Sequence, residues 1–408
     1  MSNWPSAFGP VDTHAIDAFE VGELLAALAD KSLVVLDPFT GRFRLLETVR
    51  DYARVTLANT GEAEMFRDRH LDHFLALTEQ AEPQFTGPDQ GVWLEKLETE
   101  HDNLRAALAW SSEQADNHES GVRLAGAMPR FWDARGHLAE GRRWFSIVLS
   151  QGAANETQHR AKALNGAGVL AYEQADYKAA RAFLEESLAI GRRLGDRSGI
   201  AHSLNSLGNL AHDQGDYNAA QAQYEESLAI RREMGDKRGI AVSLTNLGQL
   251  ANLQADHVTA CALQEEAAAA FSEVGDQRGF AGSLRDLGYV AIEMGDCLAA
   301  RSFQTQSLMI SRSLGDRRGI AMSLVGLAQV AAALGEHSRT ANLCGAAERL
   351  REEIGMPIRP SEQSRCDRLV SKSRAGMGDN AAFDRTWQQG RAMTIEQAIE
   401  MAMDEGKV

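Results

Sequence analysis

Between residues 195 and 235 the apolar positions fall into two helical stripes. Ile200, Leu204, Leu207 and Leu210 recur at steps of three and four, one face of a helix predicted from about Ser198 to Gln214. Gly215 ends that helix, because a residue without a Cβ enters the left-handed conformation at little cost. Asp216 then caps the next helix, its carboxylate accepting backbone N–H bonds of the first turn. The second helix carries Tyr217, Ala220, Tyr224, Leu228 and Ile230 and stops at Gly235.

The same two-helix pattern returns without a gap. Segments beginning GDRSGIAHSL at Gly195, GDKRGIAVSL at Gly235, GDQRGFAGSL at Gly275 and GDRRGIAMSL at Gly315 are spaced by 40 residues. A fainter copy runs from Ala161 to Ile190. Gly208, Gly248 and Gly288 recur in the first helix, and Ala220, Ala260 and Ala300 in the second. Small residues at one register predict close helix–helix contact there, since a mid-helix Gly otherwise costs about 1 kcal/mol against Ala. One such hairpin cannot bury its apolar face alone. Neighbours must stack, which predicts an all-α solenoid with a concave inner lining.

Flanking segments are helical with one exception. Residues 62–115 read as helices interrupted between Pro83 and Pro88, with Leu94, Leu97, Leu104 and Leu108 forming one stripe. Residues 121–150 read as a divergent repeat, GVRLAGAMPRFWDARG then HLAEGRRWFSIVL, turning at Gly136. Residues 23–60 differ: a short helix ELLAALADKS, then SLVVL and RFRLL around the turn-like DPFTG, then helix again. Helix, hairpin, helix is the back half of a winged-helix unit. The expected organisation is a poorly ordered segment 1–22, a partial winged-helix remnant 23–61, a helical linker with divergent repeats 62–150, 40-residue repeats 151–335 and a helical cap 336–408.

Composition narrows the function classes. No apolar run is long enough to span a bilayer, and MSNWPSAFGPVDTHAIDAFE lacks the build of a secretion signal, so a cytoplasmic protein with no membrane partner is expected. Cys261, Cys297, Cys344 and Cys366 stand alone, as reduced buried thiols do. A net charge of −15 repels nucleic acid at long range.

Catalytic and cofactor motifs are missing. No GxxxxGK[ST], GxSxG or HExxH string occurs, and the Gly- and Arg-containing GDRRG and GDKRG strings repeat as inter-helix turns rather than forming one phosphate cradle. His70 and His73 stand three apart beside Asp68 and Asp72, without an evident third or fourth ligand. The Glu pairs 185–186, 225–226 and 265–266 recur with the repeat and read as solvated faces. No catalytic residue, metal site or cofactor is expected, and the chain is read as no enzyme.

Leu207-Gly208, Ala220 and Tyr224 resemble the tetratricopeptide repeat; Leu287-Gly288, Ala300 and Phe303 follow the pattern with the aromatic one place early. The resemblance implies a right-handed α-solenoid, with units longer than the usual ~34 residues. LLAALADKSLV, RLLETVRDYA, EHDNLRAALAW, RFWDARGHLAEGRRW and the closing FDRTWQQGRAMTIEQAIEMA resemble, in that order, the C-terminal half of LuxR-like signal-transduction ATPase regulators. The phosphate loop of that family's nucleotide-binding domain does not occur here, so a truncated or stand-alone sensor or scaffold arm is implied, with a separate ATPase regulator as a conceivable partner.

By the same resemblance the first helix of each repeat lines the concave face. The lining set is Lys162, Asn165 and Tyr172; His202, Asn205, Asn209 and His212; Thr245, Gln249 and Asn252; Arg285 and Tyr289; and Gln329. These places vary between copies while the core places repeat, which separates recognition from packing. A non-catalytic module binding a protein or peptide segment, or a small effector, is the leading expectation. The alternative is a transcription regulator reading DNA through the winged-helix remnant, where Arg42, Arg44, Arg50 and Arg54 cluster. Residues 1–80 nevertheless hold seven Lys or Arg against thirteen Asp or Glu, so nucleic acid is not the expected partner.

Overall fold

The computed structural model describes residues 18–37, 41–151, 156–358 and 360–404. The chain divides into two compact units, one ending at Arg69 and the other beginning at His70. Among the described residues, no helix is long and apolar enough to cross a membrane.

In the first unit, α1 (Ala18–Asp30) leads to β1 (Val34–Leu36) and β2 (Phe43–Leu45), followed by α2 (Glu47–Thr60). The strands are antiparallel with Val35 opposite Arg44. Most of the expected 1–22 segment, and the centre of the DPFTG turn, lie outside the described residues. Val34 is buried, whereas Leu24, Leu28, Leu36, Phe43 and Leu45 are exposed and α2 buries no residue.

The second unit is helical throughout. α3 (Ala63–Gln84) ends one residue after Pro83, and α4 (Gln90–Thr99), α5 (His101–Glu113), α6 (His118–Ala127), α7 (Pro129–Arg135) and α8 (Leu138–Ser150) follow. Two expected single helices are divided. Pro129 has no N–H to give to the preceding turn, so it starts α7 afresh after Met128. The other division is at Glu100, yet Leu94, Leu97, Leu104 and Leu108 still share one buried stripe.

Five hairpins then stack: α9 (Gln158–Glu173) with α10 (Tyr177–Leu194), α11 (Arg197–Asp213) with α12 (Tyr217–Met234), α13 (Lys237–Leu253) with α14 (His257–Glu273), α15 (Gln277–Glu293) with α16 (Cys297–Leu314), and α17 (Arg317–Ala333) with α18 (His337–Glu353). Every helix from α10 to α17 is capped by an Asp whose carboxylate accepts the N–H three residues on, as Asp216 does from Ala219. The fold is an α-solenoid of tetratricopeptide-like repeats, as expected.

The recurrent glycines mark close contacts. A Cβ on Gly208 would lie 2.5 Å from the Tyr224 ring, and one on Gly248 or Gly288 would lie 2.8 or 2.6 Å from the amide of Gln264 or Gln304. The place opposite each glycine is therefore Tyr224, Gln264 and Gln304. Phe303 does not fill it. Both glutamines are buried and donate to a carbonyl of the paired helix, Gln264 to Thr245 and Gln304 to Arg285, each at 2.9 Å.

The solenoid also meets itself. Arg238 reaches Asp276 at 2.6 Å and Arg278 reaches Asp316 at 2.9 Å, so the Arg before the last Gly of the GDxRG turn grips the capping Asp of the next repeat. Arg278 also bonds Asp133 of α7 at 2.6 Å, and Arg318 reaches Asp133 at 3.2 Å and Glu173 of α9 at 2.9 Å. Gln90 of α4 donates to Asp276 at 2.7 Å. Helices α4 and α7 thus close against the later repeats. The chain continues into α19 (Pro360–Met377), α20 (Asn380–Ala392) and α21 (Ile395–Met403).

Candidate functional site: the inner face of the repeats

The expected lining residues divide by what they touch. Some tie neighbouring elements. Asn205 is buried and accepts from Asn246 at 2.9 Å, Gln249 donates to Asp286 at 2.7 Å, and Asn209 accepts from the Tyr224 hydroxyl at 2.9 Å. Asn252 meets His257 at 2.9 Å, and the Thr245 hydroxyl returns to the Ala241 carbonyl. Tyr172 is buried beside Tyr177. Lys162 forms an ion pair with Glu82 of α3 at 2.5 Å.

Others hold nitrogen atoms that are buried and lack a hydrogen-bond partner among the described residues: Asn165 Nδ2, His212 Nε2, Arg285 Nε and Gln329 Nε2. A buried donor left unpaired costs about 1–3 kcal/mol. Three of them, on Asn165, Arg285 and Gln329, are donors suited to an acceptor-rich group, whereas His212 gives its Nδ1 proton to Asp213 and leaves Nε2 as an acceptor.

Part of this face is already covered. Helix α19 contacts α11 and α17, and Arg365 lies over the Tyr289 ring of α15, 4.3 Å from its centroid. The Tyr289 hydroxyl donates to the Met322 carbonyl at 3.4 Å. Arg351 and Glu362, both buried and 3.1 Å apart, fix the start of α19 to α18. The trough expected from the repeats alone is therefore narrowed by α4 and α7 and occupied in part by α19.

A cationic set stands near His202, one of the expected lining residues. His202 is exposed to solvent; desolvation first, then the charges of Arg231, Arg130 and Arg238, lower its imidazole to about 4. Its Nδ1 lies 2.9 Å from the Ser198 carbonyl. Arg231 spends one nitrogen on the Gly239 carbonyl at 2.6 Å, and Arg238 is held by Asp276. Arg130 of α7 is half-buried and makes no hydrogen bond or ion pair among the described residues. Burial first, then the like charges of Arg238 and Arg278 against the opposing carboxylates of Asp276 and Glu82, lowers its guanidinium to about 9. Sequence reasoning missed Arg130 because it lies in a divergent repeat and meets the lining only through closure of the coil.

His70 and His73, three apart in sequence, both pack their rings on Phe74.

Residues 159–233 match the tetratricopeptide repeat family. A Mycobacterium tuberculosis protein named as HTH-type transcriptional regulator Rv0890c is 36% identical over 198 residues, covering 46% of this chain and 22% of its own length. A Mycobacterium bovis protein, Mb0914c, matches to the same extent. The chain therefore spans under a quarter of the length of these curated relatives. Among solved structures, a Rap protein complexed with competence and sporulation factor aligns over 83% of this chain and 99% of its own, with a TM-score of 0.54 at 12% identity. That likeness is one of fold.

Proposed function

We propose that the inner face of the repeats receives an acidic protein segment, and that the chain is a non-catalytic sensor or scaffold arm of a signal-transduction ATPase-type regulator. The observation that carries this reading is Arg130. A guanidinium that closes no ion pair of its own, its neighbouring carboxylates Asp276 and Glu82 being engaged by Arg238 and Lys162, is costly in a partly enclosed space unless an anion joins it. Arg is suited to that task because its planar fork takes a carboxylate with two parallel bonds. The unpaired amide donor of Asn165 supplies a hydrogen bond for a carbonyl oxygen of the same ligand. The Rap structure, whose name includes a bound factor, supports a ligand for a protein of this fold. The mycobacterial relatives support the regulator reading.

Fluorescence anisotropy with a labelled Glu/Asp-rich peptide tests the proposal. Binding should weaken at least about tenfold in Arg130→Ala, the loss expected of a buried charge-assisted contact, and a Lys-rich peptide should not bind. Equal binding by wild type and Arg130→Ala ends the proposal. Competition by a small dicarboxylate at lower concentration than the peptide would identify an effector instead.

The first unit carries the regulator reading further. Its exposed Leu24, Leu28, Leu36, Phe43 and Leu45 suit a winged-helix remnant that packs on an ATPase domain. A gel shift abolished by Arg44→Glu would favour the DNA-reading alternative in its place.

A further inference from the structure

Away from the repeats' inner face, two imidazoles and two carboxylates converge where α4, α5 and α8 meet. Glu98 ends α4, His101 begins α5, and His137 and Glu140 stand at the start of α8. His137 Nε2 is 3.1 Å from both oxygens of Glu98. His101 Nε2 is buried and lies 3.1 Å from Glu140 Oε1 without completing a hydrogen bond. The two imidazole rings are 4.3 Å apart, and ligating atoms of Glu98, His101 and His137 all lie within 4.8 Å of one another. Phe131 closes one side, 5.2 Å from His101.

We propose that Glu98, His101 and His137 hold a zinc ion, with Glu140 beside it. Two neutral imidazole nitrogens and a carboxylate form a donor set suited to Zn²⁺, whereas Mg²⁺ and Ca²⁺ favour oxygen alone. The surrounding charges agree. Arg105 joins Glu140 and Asp102, and Arg135 joins Glu95 and Glu98. Four carboxylates against two guanidiniums leave two net negative charges, which a dication cancels. Those guanidiniums also fix the carboxylates from outside, as partners of metal ligands do. The donors need close by only about 1 Å to reach Zn–N and Zn–O distances of about 2.0–2.2 Å. This inference is independent of the acidic-segment reading.

The test uses the full chain, stripped with chelator and titrated with Zn²⁺ by calorimetry and with Co²⁺ by visible absorption. Expected are one ion per chain, the d–d bands of four-coordinate Co²⁺, and a higher melting temperature with metal. His137→Ala and Glu98→Gln should each weaken binding at least about tenfold, while His159→Ala, an exposed histidine elsewhere, should not. Melting curves of the metal-free variants establish that both fold; the wild-type spectrum stands without them. No saturable binding, binding unchanged in both variants, or a Co²⁺ spectrum dominated by thiolate charge transfer from the cysteines would overturn the assignment.

Discussion

Arg365 stacks on Tyr289, with its guanidinium carbon 4.3 Å from the ring centroid. One side chain comes from α19 and the other from an expected lining place of the repeats. The chain thereby covers part of its own inner face. A cation–π contact contributes about 0.5–2 kcal/mol according to how dry it is. Arg365→Ala should raise amide hydrogen exchange across α19 and leave α13 and α14 as slow as before. Uniform acceleration along the chain would mean that α19 is part of the general core.

Two turns break the local rule that their neighbours obey. Ala175 and Ala255 adopt positive φ, 59° and 61°, at places where Gly215, Gly295 and Gly335 stand in other hairpins. An L-residue with a Cβ pays about 1 kcal/mol in that conformation. Ala255→Gly should therefore raise stability by up to about 1 kcal/mol despite the extra freedom of glycine in the unfolded chain. Urea unfolding measures it; a lowered midpoint would show that the strain is smaller than that entropy.

Asp133 ties α7 to α15 and α17, and it is a carboxylate taken out of water. Burial raises its pKa, but Arg278 and Arg318 outweigh that and bring it to about 2. A folded-state value below the ordinary one near 4 contributes stability that is present above pH 4 and lost as pH falls toward 2. Asp133→Asn should cost on the order of 3 kcal/mol at pH 7 and should flatten the stability loss between pH 4 and 2. Parallel acid curves for variant and wild type would place the acid-labile group elsewhere.

The hairpins were legible in the sequence because their determinants are local. A glycine, a capping Asp and apolar steps of three and four define each turn and face, and the copies confirm one another. Gly248 shows where that legibility stops. Its smallness predicted a close neighbour, but the aromatic seen in one copy did not identify Gln264 as that neighbour. Leucine at 248 would displace the Gln264 amide from its bond to Thr245, for about 1–3 kcal/mol. A melting temperature equal to wild type would make the recurrent glycines incidental. Closure of the coil was not legible at all. The bond between Gln90 and Asp276 spans 186 residues. Arg365 acquires its place on Tyr289 in the same way, through a helix beyond the repeats. Such pairings carry no periodic signal, so the inner face read as more open than it is, and its amides as freer.

Arg130 yields the prediction that best separates a binding residue from a structural one. A side chain that serves packing destabilises when removed. Arg130 instead makes no hydrogen bond or ion pair among the described residues, between Arg238 and Arg278 on one hand and Asp276 and Glu82 on the other, so Arg130→Met keeps most of its apolar stem and removes the cost of holding a charge out of water. The variant should melt higher than wild type, with a gain of about 0.5–2 kcal/mol, the range in which sites kept for function give up stability. It should at the same time lose the acidic peptide. A lower melting point combined with intact peptide binding would assign Arg130 to the framework, and the inner face would then lose the residue on which its charge preference rests.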